Sequence, residues 1–214
     1  MNGRSGPPVD PSLLVDLDAP RPEQPLLLTG LSSGLVLSAA GDVALVCETR
    51  GAPIDWGGVY AQGIRLTGPW RVSGIIDGTR YQLPESLHRL RATRWSVESE
   101  HRWGPVDVRQ ELIALPRAPG VARRLSLRSD VPVSVEVHSE FAPYLAPVLV
   151  EGLKPYEYHL RTRGPTITAV SHGSGVALDS DPLPDALSID HAPWIGGSYR
   201  GELRALRATY SLDL

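Results

Sequence analysis

Glu98 and Glu100 stand two residues apart, Glu136, His138 and Glu140 repeat that spacing, and Asp179, Asp181 and Asp185 crowd one short stretch. Glycoside hydrolysis needs two carboxyl groups held about 5 to 9 Å apart across a sugar. A spacing of two puts Glu98 and Glu100 on one face of a strand and roughly supplies that distance. It supplies neither a cleft nor a raised pKa. The Glu136, His138, Glu140 set falls on the polar side of another strand, where solvent is the expected neighbour. The aspartates lack the ligand order of an EF-hand loop.

Other chemistries find less support. The histidines are His88, His101, His138, His159, His172 and His191, and none forms a His-x-His or His-x-x-x-His set. There is one cysteine, Cys47, so the common structural zinc sites and an intrachain disulfide are both ruled out. Cys47 sits in the apolar run 43–48 and is expected to be a small buried hydrophobe. Gly173-Ser174-Gly175 lacks a Walker lysine, and Lys154, the only lysine, stands elsewhere. A Gly-x-Ser-x-Gly elbow is missing. The sequence therefore assigns no catalytic residue, no metal and no cofactor.

The elements that would carry any site are strands. Val131 to Val137 reads Val-Pro-Val-Ser-Val-Glu-Val, one apolar face against one polar face. Val106, Val108, Gln110 and Leu112 share a face opposite Asp107, Arg109 and Glu111. Leu206 to Leu214 alternates to the last residue, as a strand tied into a sheet or leading into a further domain would. Asp77-Gly78 between apolar alternations is the strongest hairpin signal. Extended runs are expected at 34–38, 43–48, 59–66, 70–76, 79–83, 90–100, 121–128, 156–162, 166–171, 175–179, 187–192 and 198–214. Residues 142–155 are broken by Pro143, Pro147 and Pro155 and fit a covering loop or a turn of helix. No stretch reads as a long amphipathic helix, and 21 glycines with 20 prolines suit many short strands joined by turns. The fold class expected is all-β, a large antiparallel two-sheet β-sandwich, supersandwich-like. Residues 1–25 read as a proline-rich tail and 26–214 as the sandwich domain.

A formal charge of −3 from 21 basic and 24 acidic side chains argues against nucleic acid or an anionic membrane as partner. Arg123, Arg124 and Arg128 are expected on a solvated sheet face. No apolar run has signal-peptide length or the roughly 20 residues of a membrane-spanning helix, so a cytoplasmic location is expected.

Three segments carry a family resemblance: Leu26 to Gly34, Gly57 to Leu66 with its Gly-Gly-Val-Tyr core, and Trp70 to Arg80 with Asp77-Gly78-Thr79-Arg80. Together with Val121 to Asp130 and Val133 to Phe141, they resemble the N-terminal domain of bacterial glycogen debranching enzymes of the amylo-α-1,6-glucosidase type. The resemblance spans most of residues 26–214. Where that domain tends to carry Asp-Thr-Arg after the aromatic, this chain has Gln62-Gly63-Ile64-Arg65, so only Arg65 carries over, as a structural or interdomain charge.

The resemblance implies a β-sandwich that packs against an (α/α)6 catalytic domain, which these 214 residues do not contain. The expected role is a noncatalytic module assisting that glycosidase. The alternatives are a free-standing α-glucan-binding module and a small glycoside-processing enzyme using strand carboxylates. The expected carbohydrate or interdomain contacts are Trp56, Tyr60, Arg65, Trp103 and Trp194. Tryptophans in glycine-rich loops stack on sugar rings, plug domain interfaces, or cap a core.

Overall fold

The computed structural model describes residues 26–29, 35–40, 43–48, 58–68, 70–93, 96–115, 120–147, 157–163, 166–171 and 174–214. The expected tail 1–25, Trp56 and the side chain of Cys47 lie outside the described residues. Twenty strands are described, in chain order. The first ten are β1 Leu26–Thr29, β2 Leu35–Ala40, β3 Val43–Glu48, β4 Gly58–Ala61, β5 Ile64–Thr67, β6 Arg71–Ile76, β7 Thr79–Gln82, β8 Leu87–Ala92, β9 Ser96–Trp103 and β10 Val106–Ala114. The rest are β11 Val121–Ser129, β12 Ser134–Phe141, β13 Pro143–Pro147, β14 Tyr158–Arg163, β15 Thr166–Ser171, β16 Ser174–Leu178, β17 Ala186–Ile189, β18 Ala192–Pro193, β19 Ser198–Gly201 and β20 Leu206–Asp213. The described helical structure is a single 3-10 turn, Pro84–Ser86.

The all-β, antiparallel expectation holds. The division into two sheets does not, because the strands form four. Sheet I runs β1-β8-β9-β10-β11, and sheet II runs β13-β5-β4-β3-β2. Sheet III runs β18-β17-β20-β12-β6-β7, and sheet IV runs β16-β15-β14-β19.

Two corners explain part of the extra division. The chain passes from β5 in sheet II to β6 in sheet III, and from β12 in sheet III to β13 in sheet II. At that place the Gly68 N–H donates to the Ala142 carbonyl at 2.7 Å, so the pairing continues across the bend. Just beyond, β13 slips register against β5 between Pro143 and Ala146, with Leu145 at φ 47°. Proline supplies no N–H for the ladder, which is why 143–147 looked like a loop and forms an irregular strand.

Alternation then sets the packing. Val97, Leu112 and Ala114 from sheet I meet Val59 and Ala61 from sheet II. Trp103, Val106 and Val108 from sheet I meet Val72, Val135 and Val137 from sheet III. The same face of β12 and β20 continues to Phe141 and Leu206, which pack with Tyr158, Leu160 and Ala169 of sheet IV. One face of sheet III is therefore covered by sheet I at one end and sheet IV at the other. The strands nearest that division, β11 and β16, each have one paired neighbour.

Three expected strands prove to be pairs. Val59 to Leu66 is the hairpin β4–β5, turned by Gln62 and Gly63 at φ 51° and 75°. Leu90 to Glu100 breaks where the Thr93 N–H donates to the Ser96 carbonyl at 2.8 Å, separating β8 from β9. Ser198 to Leu214 divides into β19 and β20, because Asp190 Oδ1 accepts the N–H groups of Arg204 and Ala205 at 2.9 and 2.8 Å.

Candidate functional site

Glu98, Glu100 and Glu140, among the carboxylates singled out by spacing, are committed to arginines on outward faces. Glu98 pairs with Arg109 at 2.9 Å and Glu100 with Arg89 at 3.8 Å, both across strands of sheet I. Each carboxylate sits opposite or diagonal to its cation, the arrangement that cross-strand pairing favours. The Glu98–Glu100 pair faces away from the core and does not converge on a cleft. Glu140 binds Arg207, and His138 binds Glu136, along the outer side of β12. Asp185 Oδ2 accepts the Ser211 N–H at 2.6 Å and serves as a turn anchor. Among the described residues, no group of three or more His, Cys, Asp and Glu is arranged to hold a metal ion.

Of the expected contact residues, the structure brings together Tyr60 and Arg65. They sit opposite each other in the β4–β5 hairpin. The Arg65 guanidinium lies 5.8 Å from the Tyr60 ring centroid and 4.2 Å from that of Tyr144, and its Nε donates to the Thr67 carbonyl at 3.3 Å. Arg65 is buried, so two aromatic faces replace part of its hydration. Burial of the Tyr60 hydroxyl raises its pKa, and Arg65 works against that rise. Tyr144 was not foreseen, because it falls in the proline-broken stretch.

Trp103 corrects an expectation. It is 0% exposed, and its Nε1–H donates to Ser86 Oγ at 3.2 Å, so it is a core side chain and offers no surface to a sugar. Trp194 is half-buried against the sheet III–sheet IV core, well separated in topology from Tyr60. Ser99, His101 and Gln110 place polar atoms inside sheet I. His101 Nε2 and Ser99 Oγ share a hydrogen bond of 2.8 Å. Burial lowers the His101 pKa to about 4, so the ring is neutral at physiological pH.

A cavity of about 910 Å³ lies where sheets I, III and IV meet. Its floor includes Val137, Ser139, Leu206 and Tyr210 of β12 and β20, and its walls include β11 and β16. Arg123 of β11 reaches into this region. Its Nη2 group hydrogen-bonds Ser139 Oγ, and its guanidinium carbon lies 5.0 Å from the Trp70 ring centroid. Trp70 in turn tilts against Phe141, with centroids 6.4 Å apart. Arg123 Nη1 and Trp70 Nε1 are both closed off from solvent without an acceptor. Burial pushes the Arg123 pKa down to about 10, partly opposed by Tyr210, and leaves the group cationic at neutral pH.

Arg123 was expected on a solvated face, and the structure overturns that. Alternation held the signal: Val121, Arg123, Leu125 and Leu127 share one phase of β11, while Ala122, Arg124, Ser126 and Arg128 share the exposed one. Arg123 occupies a position where the pattern calls for an apolar residue.

No protein-family model matches this chain, and no curated protein matches it in sequence. No helix of the described residues is long and apolar enough to cross a membrane.

Proposed function

We propose that this chain is a noncatalytic β-module, related to the N-terminal domain of glycogen-debranching-type glycosidases, that packs against an (α/α)6 catalytic domain. The observation that carries the noncatalytic reading is the commitment of Glu98, Glu100, Glu111 and Glu140 to arginine partners on outward sheet faces. An acid–base pair for glycoside cleavage needs two carboxyl groups facing each other across a cleft that holds the sugar, whereas these point out from the sheet faces. The β-module element of the reading is supported by sheet I, whose inner face packs on sheets II and III together. The Tyr60–Arg65–Tyr144 cluster fits the structural role that the resemblance implies for Arg65.

The test is direct. The purified chain is incubated with an α-1,6-branched dextrin, and released sugar is measured. No release is expected. Release that is lost in Glu98→Gln or Glu100→Gln would overturn the noncatalytic reading. In parallel, retention on immobilised glycogen, abolished by Trp194→Ala, would shift the role from domain packing to carbohydrate binding.

A further inference from the structure

We propose that the cavity between β11, β16 and the β12–β20 floor binds an amphipathic monocarboxylate, with the Arg123 guanidinium as its anchor. Its volume, 910 Å³, falls within the range of about 300 to 1,000 Å³ seen for small-molecule sites. Leu125, Leu127, Ile167, Val176, Leu206 and Leu212 supply apolar lining. Among the described lining residues stands one arginine, Arg123.

Arg123 is half-buried, and a guanidinium partly withdrawn from water is normally matched by an anion. Arg89, Arg109, Arg124 and Arg207 all have carboxylate partners, whereas Arg123 forms no ion pair among the described residues. A cavity-lining cation with no carboxylate partner calls for a group with acceptor lone pairs and a single negative charge. A carboxylate has both, in the planar form that a guanidinium receives best.

The remaining lining narrows the class. Asp179 and Asp181 are exposed residues at the rim, where they oppose any anion and oppose doubly charged phosphates and dicarboxylates the more strongly. Leucine, isoleucine and valine walls suit a hydrocarbon body. This inference goes beyond the module reading and is independent of it.

The experiment titrates decanoate, decanol and decylamine into the full chain by calorimetry, for the wild type, Arg123→Met and Trp70→Phe. Decanoate is expected to bind with a Kd below about 1 mM, and about tenfold more tightly than decanol or decylamine. Arg123→Met is expected to weaken decanoate by about tenfold and to leave decanol unchanged. Methionine keeps much of the stem volume, and a melting curve checks that this variant folds. Trp70→Phe weakens the aromatic support of the Arg123 guanidinium and is expected to weaken decanoate severalfold. It decides the matter if Arg123→Met does not fold. Absence of decanoate binding at about 1 mM, equal affinity for decanol, or decanoate affinity unchanged in the folded variants overturns the proposal.

Discussion

The Trp103 indole occupies the space that a side chain at Gly74 would need: a β-carbon built on Gly74 would stand 2.4 Å from Trp103 Cζ3. Gly74 lies in β6 of sheet III and Trp103 ends β9 of sheet I, so this contact sets how closely the two sheets approach. Gly74→Ala removes a backbone-entropy cost of about 0.5 to 1 kcal/mol, which alone would stabilise the strand. The clash with a fully buried ring is larger. We expect a net loss of about 2 kcal/mol, read as a lower urea midpoint with unchanged slope. An unchanged midpoint would show that the ring can retreat.

Sequence patterning revealed strands better than it revealed where they break. Asp77-Gly78 was legible because both residues adopt the left-handed conformation, φ 48° and 75°, that a two-residue hairpin demands. The Gln62-Gly63 turn does the same work with a residue that signals turns poorly, so two strands looked like one. The break before β20 was illegible for another reason. It depends on Asp190, whose carboxylate reaches backbone N–H groups 14 and 15 residues away. The sheet division depends on corners at Gly68 and Ala142, which local alternation does not encode. Arg123 is the reverse case. Its phase within β11 was legible, but nothing local shows that its face turns toward a cavity and not toward solvent.

Tyr158 fastens sheet IV to sheet II. The register slip in β13 leaves nearby carbonyls available, and the Tyr158 hydroxyl donates to those of Pro143 and Tyr144 at 3.2 and 3.3 Å. Burial raises the hydroxyl pKa to about 12, so it stays a donor across the physiological range. Tyr158→Phe keeps the buried ring and removes the bond. A loss of about 1 to 2 kcal/mol is expected. Faster amide exchange confined to β13 and β14 would locate the effect at this junction, and uniform exchange across the sheets would contradict it.

Arg65 tests whether the aromatic cluster is a packing device. Arg65→Met retains much of the apolar stem and deletes the charge that lies over Tyr60 and Tyr144. The cation–π contacts are worth about 1 to 2 kcal/mol in a desolvated setting, and a fall in thermal midpoint is expected. The Tyr60 hydroxyl should also titrate higher in the variant, because Arg65 lowers its pKa in the native protein. A Tyr60 absorbance titration that does not move would separate the two residues.

His101 makes the fold sensitive to acid. An unfolded histidine takes up its proton near pH 6.5, whereas burial in sheet I delays protonation of His101 to about pH 4. Between those values the unfolded chain holds more protons than the folded one, so stability falls as pH falls. The contribution is fully present above pH 6.5 and has been lost by about pH 4, a span worth about 3 kcal/mol. His101→Gln keeps a hydrogen-bonding group for Ser99 and cannot titrate. Its stability should therefore change less between pH 6.5 and 4 than that of the wild type, even if it starts lower. The check is a pair of urea-unfolding series over that pH range. Parallel curves for the two proteins would show that His101 is not the source of the acid sensitivity.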